Sequence, residues 1–401
     1  MQYFQRMTAS ERAEFFERAV AEVIERDACA RLLESGRRLR WKLGLDPTRP
    51  DLHLGHAVVL RKLRQGARWG HEVVLIVGDY TAQIGDPSDK DETRPVLSHD
   101  EVLKNAETYL EQFYRIVPKE NVRTVMQSEW YGPFTLKHTI ELASRFTVQQ
   151  MLAREEFRKR TTEGRPIPIK DLLYPLMQAY DSTAIQADIE FGGTDQKFNN
   201  LLGRELQAQV GQPPQQVFLV NLLPGLDGEK MSKSKRHTGI WLTDPPNDMY
   251  GKVMKLRDEL MPVYFEWATD TPWAEAKRTV QSIKAGDLKP RDAKRLLART
   301  IVDDLWGRGQ GEAAERAFDS QFKERHAPGD MPRFRLKERG LLDVLVAANL
   351  APSKSAARRN VQQGGVRVDS VVVNDPTYVF KANGAVVVSV GARKFARVEF
   401  A

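Results

Sequence analysis

An α/β fold built on a parallel sheet is the architecture this sequence predicts, and three observations carry it. Two short apolar runs, Arg40–Leu45 and Glu72–Val77, flank a helical pattern over His53–Trp69. Strand, helix, strand is a βαβ unit, whose strands run parallel with a right-handed crossover. From about Pro246 to His326 the apolar spacing is helical throughout,. Beyond residue 331, two helical stretches precede β-like runs, as in a small α+β module.

The elements follow in order. Thr8 with Glu11 has the form of a capping box and opens a helix of about 25 residues. In His53–Trp69 the residues Leu54, Val58, Leu60 and Leu63 mark the buried face,. Ser98 with Glu101 repeats the capping box and starts a helix ending near Ile116; Val122–Met126 reads as a strand. Gly132–Arg165 is helical and is read as part of an insertion near 113–150. Lys170–Ala184 is helical despite Pro175, and Asp195–Val210 is helical up to Gly211, Pro213 and Pro214,. Gln216–Val220 is a short strand, Pro224–Arg236 a Gly- and Lys-rich loop, and Pro328-Gly329-Asp330 a linker. Helices over Leu341–Ala348 and Ser353–Gln363 lead to β-like runs at Val366–Val373 and Val386–Val390.

Composition narrows the function classes. The chain has 401 residues, 41% hydrophobic and 29% charged, which suits a globular protein and not a disordered one,. No apolar run approaches the ~18 residues of a membrane span. The first residues lack an apolar signal region, and Glu11, Glu14 and Glu17 disfavour a transit peptide,. Cys29 is the single cysteine, so intrachain disulfides and all-cysteine metal cages are excluded,. A cytoplasmic location is the expectation. Residues 331–401 hold 12 Lys and Arg against 5 Asp and Glu, which is the whole of the net +7. Such a tail suits a polyanion such as nucleic acid, or else presents a solvated basic face.

Two segments concentrate chemistry. Asp46-Pro-Thr-Arg-Pro-Asp-Leu-His-Leu-Gly-His56 joins a buried strand to a helix start. A helix start offers unpaired N–H groups and a positive dipole end to phosphate. His53 and His56 share one face of the first turn, either to meet a nucleotide or to pack the helix start. Gly55 would let a nucleotide approach the backbone. The second segment, Gly225-Leu-Asp-Gly-Glu-Lys-Met-Ser-Lys-Ser-Lys235, is a cationic loop able to close on a polyphosphate,. Tyr174, Gln178 and Asp181 fall at i, i+4 and i+7 on one helix stripe,. That stripe is either a solvent-facing side or a buried set needing polar partners.

His53-Leu-Gly-His56 and Lys230-Met-Ser-Lys-Ser234 resemble the HIGH and KMSKS signatures of the class I aminoacyl-tRNA synthetases. Five stretches are similar to the bacterial tyrosyl-tRNA synthetase family. They are Gly44–His56, Ile84–Ser88, Tyr174–Asp181, Phe191–Gln196 and the KMSKS string, in the family's order. The resemblance implies a doubly wound parallel, Rossmann-like catalytic domain over 1–235, an all-α anticodon-side domain over 236–330, and an RNA-binding module over 331–401. The module resembles a ribosomal-protein (S-four-like) fold, with Lys354, Arg358 and Arg359 facing RNA. Implied partners are L-tyrosine, ATP carrying Mg2+, and tRNA(Tyr), with a homodimer, no membrane and no protein-only metal site. A tryptophan-specific relative, a non-catalytic RNA binder and a nucleotidyltransferase are the rival readings.

The resemblance also implies roles. Thr48 and His53 would meet the γ-phosphate, His56 the nucleotide ribose, and Lys90, Arg94, Lys230 and Lys233 the pyrophosphate. Tyr174 and Gln178 would meet the α-amino group with Asp86 and Thr81 nearby, and Asp181 would accept the phenolic O–H. Gly193 would admit adenosine, Asp195 the ribose hydroxyls, and Gln196 the tyrosine carboxyl. Asp46 and Gly55 fall on the ATP side. Many family members carry a tyrosine where this chain has Lys42, which would donate to the phenol or pair with Asp181.

Overall fold

Six strands form the first sheet: β1 (Val20–Ile24), β2 (Arg40–Leu45), β3 (Glu72–Val77), β4 (Val122–Met126), β5 (Ile189–Gly193) and β6 (Gln216–Val220). Their order is β1-β6-β5-β2-β3-β4. The chain winds outward from β2 through β3 to β4, then returns to the other side of β2 for β5 and β6. All pairs are parallel except β1 with β6. The sheet is therefore doubly wound, with its switch point between β2 and β5, where such sheets bind ligands. The computed structural model describes residues 7–87, 97–231, 236–323, 331–369, 371–380, 384–391 and 394–400.

The long first helix is a correction. Thr8 does cap a helix, its Oγ accepting from Glu11 N–H at 3.2 Å, but α1 (Ala9–Glu17) is short. Ala19 at φ 58° and Glu25 at φ 52° bracket β1, and α2 (Arg26–Glu34) follows. β-branched Val20, Val23 and Ile24 find their partner in β6, nearly 200 residues on. No local pattern could show that pairing.

Helix α3 (Leu54–Arg68) packs on the sheet through Gly66, where a Cβ would lie 2.3 Å from the Trp41 ring. Trp41 stacks on Phe191 at 4.8 Å, and Phe15 meets Phe218 at 4.7 Å. This aromatic core sets the depth at which α3 begins. Next come α4 (Thr81–Ile84) and α5 (His99–Ile116). β4 belongs to the sheet, so the excursion expected near 113–150 starts only after it. It contains α6 (Ser128–Tyr131), α7 (Leu136–Ala143), α8 (Val148–Leu152) and α9 (Glu155–Thr162). Then come α10 (Ile169–Ile185) and α11 (Lys197–Gln209).

The helical stretch resolves into α12 (Pro246–Val253), α13 (Met261–Trp267), α14 (Trp273–Ala285), α15 (Pro290–Trp306) and α16 (Gln310–Lys323). Pro246, Pro262, Pro272 and Pro290 sit at or beside helix starts, where a missing N–H costs nothing,. The chain folds as two units, Met1–Glu315 and Arg316–Ala401. The second holds β7 (Arg333–Leu336), α17 (Leu341–Ala347), α18 (Lys354–Gln362), β8 (Val366–Val368), β9 (Val371–Val372), β10 (Ala385–Val390) and β11 (Lys394–Phe400). Its sheet order is β7-β11-β10-β8-β9, over a core that includes Leu341, Leu345, Val361 and Val388. The run Val366–Val373 is two strands because Asp369 turns at φ 45°. Among the described residues no helix is long and apolar enough to cross a membrane.

Candidate active site

The carboxyl ends of β2, β3, β5 and β6 open into one cavity of about 210 Å³. Asp46 and Thr48 enter it after β2, Thr81 after β3, and Gly193, Asp195 and Gln196 at and after β5. His53, Gly55 and His56 come from the start of α3, and Tyr174, Gln178 and Asp181 from α10. Lys230 and Met231 complete it, so the two signature segments share this cavity.

Backbone pairing explains the meeting. Leu54 N–H donates to Ile240 O at 2.8 Å, and Leu242 N–H to Leu52 O at 2.9 Å. The strand-like stretch after the lysine loop is thus stitched to the stretch before α3. His53 is the N-cap residue of α3, and its N–H donates to His56 Nδ1 at 3.1 Å. The two rings lie 3.9 Å apart, with Trp241 edge-on to His53 at 5.7 Å. A Cβ on Gly55 would come within 2.9 Å of His53 Nδ1, so the glycine makes room for an imidazole. The pair packs the helix start, and both rings also line the cavity. Lys230 Nζ meets Asp195 Oδ2 at 2.6 Å. A Cβ on Gly193 would come within 2.5 Å of the Leu222 side chain and 2.6 Å of Asp195 Oδ1, so a larger residue here would push both side chains aside. Lys90, Arg94 and Lys233 lie outside the described residues.

The α10 stripe is not solvent-facing: Gln178 is half-buried and its two neighbours along the stripe are buried. Tyr174 and Asp181 are 6% and 2% exposed. Tyr174 O–H donates to Asp46 Oδ2 at 2.8 Å, and Thr81 Oγ lies 2.7 Å from Asp46 Oδ1. Asp46 therefore belongs with the α10 cluster as well as with the histidine segment. Burial, with Asp46 and Asp86 close by, raises the Tyr174 phenol well above its ordinary range and keeps it a donor. Asp86 accepts from Gln196 Nε2 at 2.6 Å and from Arg154 at 3.1 Å. Asp181 accepts from Gln127 Nε2 at 2.7 Å and from Trp130 Nε1 at 3.1 Å. Desolvation raises its pKa to about 7, against the opposing pull of Lys42 and these two donors,.

Lys42 is a second correction. Its Nζ is paired with Glu190 Oε1 at 2.8 Å, not with Asp181. It also donates to Gln178 O at 2.8 Å and Ser182 Oγ at 2.6 Å, which uses all three protons. No donor remains for a phenol, and the side chain lies behind the cavity wall. Gln127, Trp130, Arg154 and Glu190 were not legible as site residues. Gln127 directly follows a sheet strand, which is a usable signal; Arg154 comes from the excursion, where none existed. In the second unit Lys354, Arg358 and Arg359 are exposed on α18, whose start is capped by Ser353 Oγ accepting from Ala356 N–H at 3.2 Å. Lys354 is ion-paired with Asp343.

Comparison with known proteins agrees with this geometry. The family described as tRNA synthetases class I (W and Y) matches residues 34–323, and the tyrosine–tRNA ligase SYY-like C-terminal domain matches residues 323–390. A tyrosine–tRNA ligase of Moorella thermoacetica is 48% identical, over 95% of this chain and 94% of that protein. One from Dehalococcoides mccartyi is 46% identical, over 96% of this chain and 97% of that protein. The tyrosyl-tRNA synthetase of Archaeoglobus fulgidus, solved with L-tyrosine, shares the fold with a TM-score of 0.61 at 21% identity, over 76% of this chain and 98% of that one. A cavity at the switch point, two signatures meeting in it and relatives matched along nearly their whole length lead to one conclusion: the chain belongs to the class I tRNA synthetases, in their tyrosine–tRNA ligase branch.

Proposed function

We propose that this tyrosine–tRNA ligase joins tyrosine to ATP in the cavity of the first unit, with each end of the cavity taking one substrate. The juxtaposition of His53, His56 and Lys230 across from the α10 stripe carries that reading. ATP is a substrate of the family, and its triphosphate would lie between α3 and Lys230. His53 and Thr48 would meet the γ-phosphate, His56 the ribose, and Lys230 the leaving pyrophosphate together with Lys90, Arg94 and Lys233. Asp195 would release Lys230 to take the ribose hydroxyls, and Gly193 would let the adenosine close in. Magnesium would arrive on the triphosphate.

Tyrosine would enter along α10. Asp86, Tyr174 and Gln178 would hold the ammonium, Gln196 would lie near the carboxyl, and Asp181 would accept the phenolic O–H. The carboxylate then attacks the α-phosphate in line and pyrophosphate leaves. In the second step the terminal ribose hydroxyl of tRNA displaces AMP from the mixed anhydride. No protein nucleophile takes part, so positioning and electrostatics carry the rate. Residues 236–330 would serve the anticodon side and 331–401 would grip RNA through α18, with phosphate contacts. A cytoplasmic location fits a lone, buried Cys29,.

The titration of Asp181 tests the tyrosine end. As pH falls through about 7 the carboxyl takes a proton and loses its strength as an acceptor,. The kcat/KM for tyrosine in ATP–pyrophosphate exchange should therefore fall between pH 8 and 6, while that for phenylalanine stays level. Parallel profiles for the two amino acids would remove Asp181 from the phenol.

We also propose a homodimer. Leu136, Ile140, Val148 and Ile169 are 75%, 59%, 58% and 77% exposed, on helices packed around one core at the excursion. Large exposed apolar side chains in one region mark an interface. Sedimentation should give twice the chain mass, and Ile140→Glu should give the single mass. A wild-type monomer at micromolar concentration would refute the dimer.

A further inference from the structure

Lys42 and Glu190 are direct register partners on β2 and β5, the two strands that flank the switch point. Their side chains are 0% and 1% exposed and form a 2.8 Å ion pair. A buried pair of this kind costs desolvation that a pair of apolar residues would avoid, so its presence needs another reason. Apart from one bond to Gln215, just before β6, every remaining bond of the pair runs to α10. Lys42 holds the Gln178 carbonyl and the Ser182 hydroxyl. Glu190 accepts from Gln178 Nε2 at 3.2 Å, from Ser182 Oγ at 3.2 Å and from Gln215. Gln178 is thus gripped at its backbone by one charge and at its carboxamide by the other. The same turn of α10 carries Asp181.

We propose that Lys42 and Glu190 are positioning residues for tyrosine: they set the height and rotation of α10 over the sheet, and so place Gln178 and Asp181 without touching the substrate. The inference rests on the reading that the α10 stripe takes tyrosine. It assigns to Lys42 a function different from that of the tyrosine common at this position, since the lysine acts from behind the wall. Gln178 Oε1 also accepts from Asn199 Nδ2 at 2.9 Å, so a carboxamide bonded at both ends sits on a helix pinned at the same point, a pre-organised receptor,.

The test uses Lys42→Met/Glu190→Gln, which removes both charges together and leaves no lone buried ion. In ATP–pyrophosphate exchange, the KM for tyrosine should rise by about 10- to 100-fold. The KM for ATP should stay within about twofold, as displacement of α10 alone leaves the α3 side intact. Ser182→Ala, which keeps the pair but removes one shared partner, should raise the tyrosine KM by a smaller factor in the same direction. A purely structural pair would lower the unfolding temperature and leave the tyrosine KM where it is. A folded double variant with unchanged tyrosine KM, or an unchanged Ser182→Ala if the double variant does not fold, overturns the proposal. Asp181→Asn measured alongside separates the two layers. If Asp181→Asn changes tyrosine use and the double variant does not, only the positioning role fails. Should neither change it, the α10 reading fails as well.

Discussion

Asp181→Asn should cut the kcat/KM for tyrosine by roughly 10²- to 10³-fold while leaving that for phenylalanine nearly unchanged. The wild-type carboxylate offers two acceptor atoms and already takes Gln127 and Trp130. A carboxylate has lone pairs left for a third donor, the phenol. Asparagine has one acceptor and one donor, so its amide N–H must face either Gln127, Trp130 or the phenol, and one donor loses its partner. Losing a charge-assisted bond and stranding a donor together cost about 3–4 kcal/mol. Phenylalanine has no hydroxyl and forfeits nothing. Preference for tyrosine over phenylalanine, roughly 10⁵ in enzymes of this class, should therefore shrink by the same factor. Exchange kinetics with both amino acids measure it, and an unchanged ratio would refute the role. Stability gives an independent check. Burial raises the Asp181 carboxyl, so ionising it opposes folding increasingly as pH climbs from about 4 towards 7. Asparagine does not titrate, so the variant's unfolding temperature should fall less than that of wild type between pH 5 and pH 8.

His53→Asn should slow adenylate formation by about 10²- to 10³-fold, or ~3–4 kcal/mol of transition-state stabilisation. Asparagine is among the preferred helix caps, so α3 keeps its start. What disappears is the imidazole, which lines the cavity beside His56. Its proposed contact is with the γ-phosphate as charge builds on the departing pyrophosphate. An interaction made only then lowers the rate constant and not the binding of tyrosine. Pre-steady-state formation of tyrosyl-adenylate should show the loss, with the tyrosine dissociation constant within about twofold of wild type. A variant that loses tyrosine affinity and keeps its forward rate would move His53 out of the triphosphate end.

Local chemistry alone predicted β2, α3 and β3, because a period of two or of 3.6 reports which face is buried. The Thr8 and Ser98 capping boxes were equally legible, since their partners sit three residues apart. The residues of the two signature segments could be named before any geometry. What sequence alone left open was which particular buried groups meet across distance. β1 became a strand only because β6 offered it an edge. Asp46 was placed beside Tyr174 by the sheet, at a separation of 128 positions. Lys42 was legible as an odd residue, yet its partner Glu190 was decided by β2 lying next to β5. A periodicity records how a residue meets water; which buried groups then face one another depends on how the strands are ordered, and that ordering is settled only when the whole sheet closes on its core.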